Sequence, residues 1–157
     1  MKKLFFALTA GVLMAASACT TDPCKDVTCN NGGTCTDGTC ICATGYEGTN
    51  CDTEMRAKFI GNYNITESCT SGTDTYSCAV TTSSTGVANI SFSNLYNGGV
   101  SVSGTVNGTA VTIASQSLAT ATISGSGVIS TTGVITLTYT VSVGGNSDTC
   151  TMTMTPV

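Results

Sequence analysis

The chain has 157 residues, of which only 9% are charged, a formal net charge of −4 and no histidine. That balance leaves no basic footprint for nucleic acid. The missing imidazole removes Ser-His-Asp and Cys-His chemistry together with the commonest general base. Ten cysteines point to an oxidising compartment, because cytosolic thiols are kept reduced.

The N-terminus begins with a short basic end, Met1-Lys2-Lys3. An apolar stretch from Leu4 to Met14 follows, broken only by Thr9 and Gly11, and then the small residues Ala15-Ala16-Ser17-Ala18. The apolar part is shorter than the roughly 20 residues a membrane-spanning helix needs. Residues 1–18 therefore read as a signal peptide. Ala16-Ser17-Ala18 directly before Cys19 resembles the lipobox of bacterial lipoproteins. That resemblance implies a Cys19 thiol carrying diacylglycerol, with residues 19–23 as a short tether. Each buried acyl methylene would contribute about 0.8 kcal/mol to the anchor. The same small residues also fit ordinary cleavage, which would leave Cys19 free for a disulfide in a soluble secreted chain. Under the sorting rule of enteric bacterial lipoproteins, the resemblance with Thr20 in place of Asp implies the outer membrane as the expected destination, with the cell surface as the broader expectation.

Residues 24–52 carry six cysteines: Cys24, Cys29, Cys35, Cys40, Cys42 and Cys51, with four, five, four, one and eight residues between them. Six cysteines admit fifteen pairings, and spacing does not choose among them. The spacing resembles an EGF-like domain, as do two further segments. Asn31-Gly32-Gly33-Thr34-Cys35 is similar to that family's glycine-containing turn, and Cys42-Ala43-Thr44-Gly45-Tyr46-Glu47-Gly48-Thr49-Asn50-Cys51 to its terminal loop. The resemblance implies the pairs Cys24–Cys35, Cys29–Cys40 and Cys42–Cys51. Staples are needed here because fewer than about 40 residues bury too little apolar surface to fold alone. No zinc site is expected, since there is no histidine and no C-x-x-C pair. Nor is calcium expected: Pro23 stands where calcium-binding relatives carry an acid, and the loop from Cys35 to Cys40 lacks an aromatic.

From residue 56 to 157 the period is close to two, which predicts half-buried strands. Phe59, Gly61, Tyr63 and Ile65 alternate with polar neighbours, and Ile135, Leu137, Tyr139, Val141 and Val143 form the longest run. Turn signals such as Ser71-Gly72, Asn107-Gly108 and Gly144-Gly145-Asn146 separate these runs. About eight strands are expected, over 58–66, 75–82, 87–95, 99–106, 109–115, 120–130, 134–143 and 148–155. Short gaps make a sequential antiparallel meander. The fold class is thus all-β, a disulfide-rich module followed by a meander, closed into a barrel in the favoured reading and a two-sheet sandwich in the other. Phe59-Ile60-Gly61-Asn62-Tyr63-Asn64 resembles the first strand of small calycin-like or lipocalin-like barrels, which bind apolar ligands inside the barrel.

In a closed meander Cys69 and Cys150 fall at the same end, so the pair Cys69–Cys150 is favoured, with Cys69–Cys78 as the alternative. With Cys19 lipidated and six cysteines in the first module, an odd thiol remains, assigned to Cys78 as a small buried residue. Met152 and Met154 alternate on the last strand and read as core. The carboxylates of this region are Glu67, Asp74 and Asp148, all near strand ends and expected to be solvated surface.

No catalytic set, cofactor or metal site emerges. The expected role is a surface lipoprotein that binds or scaffolds another macromolecule, with a membrane contact through its anchor and a protein or glycan partner. The alternatives are carriage of an apolar small molecule in the barrel and a structural accessory of an outer-membrane complex.

Overall fold

The computed structural model describes residues 21–157, so residues 1–18, read from sequence as a signal peptide, and Cys19 lie outside the described residues. Two small hairpins make the first module. β1 (Thr34–Thr36) and β2 (Thr39–Ile41) pair around Asp37-Gly38, whose φ values of 49° and 82° suit a two-residue hairpin turn. β3 (Tyr46–Glu47) pairs with β4 (Thr53–Glu54), so this module extends past the expected boundary at residue 52. Disulfides join Cys24 to Cys35, Cys29 to Cys40 and Cys42 to Cys51.

Eight strands follow: β5 (Gly61–Cys69), β6 (Gly72–Thr82), β7 (Asn89–Phe92), β8 (Val102–Asn107), β9 (Ala110–Leu118), β10 (Ala121–Ile129), β11 (Ile135–Val143) and β12 (Asn146–Pro156). Each pairs antiparallel with the next, and β12 pairs back onto β5, which closes the barrel and leaves no free edge. Alternate residues face inward, including Tyr63 and Ile65 on β5, Ile135, Leu137 and Tyr139 on β11, and Met152 and Met154 on β12. An eight-stranded barrel is just wide enough for side chains to fill it. Here these residues, with Phe59, Ile90, Phe92 and Leu95, form one contiguous buried core.

Several strand boundaries differ from expectation by up to three residues, among them the end of β5, the start of β8 and the end of β9, and three differences have local reasons. β5 begins at Gly61 because Met55–Phe59 form a 3-10 turn that plugs the barrel's lower end with Phe59. The Tyr63 hydroxyl holds that plug by donating to the Phe59 carbonyl at 2.8 Å. β6 begins at Gly72 because only Thr70 and Ser71 are needed to turn the chain. β7 is shorter than 87–95 because the chain leaves the sheet for a second 3-10 turn, Leu95–Asn97, at the upper end.

The register of β6 also decides between the two pairings open to Cys69. Cys69 lies opposite Gly72, whereas Cys78 lies opposite Tyr63, six residues further along β6. That is about 20 Å of strand, beyond the reach of a disulfide. Cys69 bonds instead to Cys150, its direct neighbour on β12, and Cys78 is a free buried thiol raised above its ordinary pKa mainly by burial.

The first module packs against the lower end. The Met55 N–H donates to the Gly45 carbonyl at 2.9 Å, and Lys58 pairs with Glu47 at 2.7 Å. Arg56 donates to the carbonyls of Ser83, Gly86 and Asn89, in and beside the loop between β6 and β7. The upper end is left uncovered by this module.

Removing the clasp should be costly. Cys69→Ser with Cys150→Ser is expected to lower unfolding free energy by about 2–4 kcal/mol, because the bridge closes a long loop. Gly125→Ala should cost about 2 kcal/mol or more, since a Cβ there would lie 2.6 Å from the Thr138 carbonyl oxygen of β11. Urea unfolding of each variant against the parent chain measures both effects.

Candidate functional site at the upper mouth of the barrel

Cross-strand partners in an antiparallel pair share a face. Glu67 on β5 lies opposite Asp74 on β6, and Asp148 on β12 lies opposite the buried Val141 on β11. All three carboxylates of the barrel therefore occupy inward-facing positions near one mouth. Expectation had them on solvated surface. For Glu67 that is wrong, because its side chain is only 3% exposed. The register puts it one step below the rim, beside Cys69 and opposite Met152.

Burying a carboxylate is tolerable here because two tyrosines reach it. The Tyr76 hydroxyl donates to Glu67 Oε1 at 2.9 Å, and the Tyr139 hydroxyl donates to the same oxygen. Both phenols are held well above their ordinary pKa, first by burial and then by the hydrogen bond to Glu67. Among the described residues no hydrogen bond is made to the other carboxylate oxygen, Oε2. Glu67 also lines a cleft of about 260 Å³ with Cys69, Ser71, Gly72, Thr73, Asp74 and Tyr96.

The loop between β7 and β8 arches over this mouth. Leu95 sinks into the core while Tyr96 and Asn97 adopt left-handed backbone, with φ of 60° and 47°. Bulky residues adopt that region only when surrounding contacts enforce it. The contacts are present: the Tyr96 N–H donates to the Tyr76 hydroxyl at 3.1 Å, and its ring meets Tyr139 edge-on at 6.3 Å. Its hydroxyl donates to Asp148 Oδ2 at 2.8 Å, and the Asn97 side chain donates to Asp74 Oδ2 at 2.8 Å. The loop is thus tied to carboxylates on two strands.

Asp148 accepts further hydrogen bonds from the hydroxyls of Thr70 and Ser71 and from the Ser71 N–H at 3.1 Å. The Ser71 and Thr70 hydroxyls hold its carboxyl well below the usual carboxylate range, so Asp148 is ionised at any physiological pH. Beside it lies a second cleft of about 350 Å³, lined by Thr70, Ser71, Tyr96, Val141, Val143, Asn146, Ser147 and Asp148.

Sequence reasoning had singled out Glu67, Asp74 and Asp148, and the fold brings them to one mouth. It missed Tyr76, Tyr96 and Tyr139. The first and last read as ordinary members of alternating runs, and Tyr96 sits in a turn-rich stretch with no signal of its own. The Cys69 and Cys150 sulfurs lie within 4.8 Å of a Glu67 oxygen, but they are bonded to each other and offer no thiolate to a metal ion.

Residues 24–54 match the family model for the teneurin-like EGF domain, and this segment is an EGF-like domain. No curated protein matches the chain. Among solved structures, zebrafish ileal bile acid-binding protein in complex with cholic acid is similar in fold, at 13% identity and a TM-score of 0.39. That likeness covers 64% of this chain and all of the other, and at this level it carries no inference about ligand.

Two outcomes follow from the tyrosine–carboxylate cluster. Glu67→Ala leaves two buried hydroxyl donors without their acceptor and should cost about 2–4 kcal/mol, whereas Glu67→Gln keeps an acceptor and should cost less. Raised folded-state phenol values mean that their stabilising contribution is complete below the ordinary tyrosine value of 10.0 and is lost as pH rises above it. Melting temperature should therefore fall above pH 10, and less steeply in a Tyr76→Phe, Tyr139→Phe variant.

Proposed function

We propose that this chain is a non-catalytic binding module, exported and tethered to an outer membrane or cell surface through a lipid on Cys19. The EGF-like domain spaces the barrel from the anchor, and the upper mouth contacts another macromolecule. The observation that carries this reading is the polarity of the molecule. The lower end is occupied by the 3-10 plug and by the EGF-like domain through Arg56, Lys58 and Gly45, while the upper end is covered only by the barrel's own Leu95–Asn97 turn. Tyr96, Val100 and Val143 add exposed apolar surface at that upper end.

Carriage of an apolar small molecule is the competing reading, and it needs an unfilled lumen. Side chains from Phe59 to Met154 occupy that volume as a contiguous core. Purified mature chain is therefore expected to show no saturable uptake of a fluorescent fatty-acid probe, and saturable uptake would favour the carrier.

Anchor and contact are tested separately. Intact mass of the mature chain should show acyl mass on Cys19, and Cys19→Ser should move the chain from the membrane fraction to the soluble one. An unacylated N-terminus would sink the anchor alone. For the contact, a photo-crosslinking residue at Val143 should yield a discrete adduct on intact cells, while one at the somewhat more exposed Val128, toward the lower end of β10, should not. Equal labelling from both positions would remove the upper mouth from consideration.

A further inference from the structure

The two clefts at the upper mouth share Tyr96 and Ser71, which stand between them as a ridge. Each has its own carboxylates: Glu67 and Asp74 on one side, Asp148 on the other. Apolar surface from Val141 and Val143 lines the second cleft, and the Tyr96 ring is accessible from both. No cation balances these acids locally. Beyond the signal segment the chain's cations are Lys25, Arg56 and Lys58, and all three belong to the EGF-like domain or the lower plug. Arg56 and Lys58 are already paired with Glu54 and Glu47.

A buried acid facing a cleft is a separate observation from the surface charge. Glu67 is 3% exposed and has Oε1 engaged by two tyrosines; since no buried side-chain oxygen among the described residues is left without a partner, Oε2, which takes neither tyrosine, is open to the cleft that Glu67 lines. A carboxylate oxygen in that position favours a donor that enters the cleft. Charge-assisted hydrogen bonds from Lys or Arg are the strongest available match, and the exposed Tyr96 ring adds a face for a cation.

Resting on the binding role above, we propose that the upper mouth docks a basic peptide segment of a protein partner. One Lys or Arg side chain enters each cleft, on either side of Tyr96, and the aliphatic stems pack on Val141 and Val143. Long basic side chains suit the site because their stems lie along apolar surface while the charged tips reach the carboxylates. Metal binding fits less well, since Asp74 and Asp148 do not gather with Glu67 into a single ligand set. A neutral glycan would satisfy the hydroxyls but leave the uncompensated charge unexplained.

The test uses the full mature chain in neutral detergent and fluorescence anisotropy of a labelled decalysine peptide. Labelled decaglutamate and maltoheptaose serve as comparison probes. Decalysine is expected to bind saturably, with affinity falling as salt rises, and the other two are expected not to bind. Asp74→Asn with Asp148→Asn should weaken decalysine binding about tenfold or more. Asp26→Asn with Asp37→Asn removes the same charge from the EGF-like domain and should leave binding unchanged. Tyr96→Leu, which keeps all carboxylates, should also weaken binding, and circular dichroism checks that each variant is folded. Equal weakening by both aspartate pairs would mean attraction by net charge alone and would overturn the proposal, as would binding of maltoheptaose in place of decalysine. If decalysine fails to bind while Val143 still gives its discrete adduct, the cationic chemistry falls and the docking role stands.

Discussion

Pairing of β12 with β5 is the interaction on which the rest of the barrel depends. Without it the meander is an open sheet with two long edges, and the inward faces of eight strands have nothing to pack against. Once the ring closes, the enclosed space is set by strand number and must be filled from within. The clasp Cys69–Cys150 sits on this seam, joining directly opposed residues of the first and last strands. It therefore shortens the longest loop in the domain at the pairing that forms with the greatest entropic penalty.

Closure also decides what the carboxylates experience. In an open sheet an acid near a strand end points into water and contributes little. In this barrel the inward face at the same position is roofed by the Leu95–Asn97 turn and walled by Tyr76 and Tyr139. Glu67 is buried there with its hydrogen bonds supplied by phenols and no cation near. Asp148, higher on the rim, stays accessible and collects hydroxyls from the neighbouring turn. Two acids a few residues from strand ends thus meet different environments because one lies below the arch and the other beside it.

The chain's two ends are chemically distinct as a result. Cationic groups and the disulfide-stapled EGF-like domain crowd the lower end, where Phe59 plugs the barrel. Carboxylates and the tyrosines Tyr76, Tyr96 and Tyr139 gather at the upper end. A tethered binding module would use such a division, with one end for attachment and the other for contact.

Much of this was legible without coordinates. Alternation of Val, Ile, Tyr and Thr required strands, and glycine-containing turns between them required a meander. Six cysteines at EGF-like spacing required a stapled module. These are local features, dictated by backbone geometry over a few residues, so the chain order alone carries them. The strand ends were less legible: whether Met55–Phe59 continues β5 or turns aside depends on Phe59 having a cavity to fill. Tyr96 was invisible, because its left-handed conformation is held by Tyr76, Tyr139 and Asp148 from three other strands. Residue order determined that Glu67, Asp74 and Asp148 would sit near strand ends. Only ring closure decided that they would share one mouth and that one of them would be buried, since the direction of an inward face has no meaning until the sheet encloses a volume.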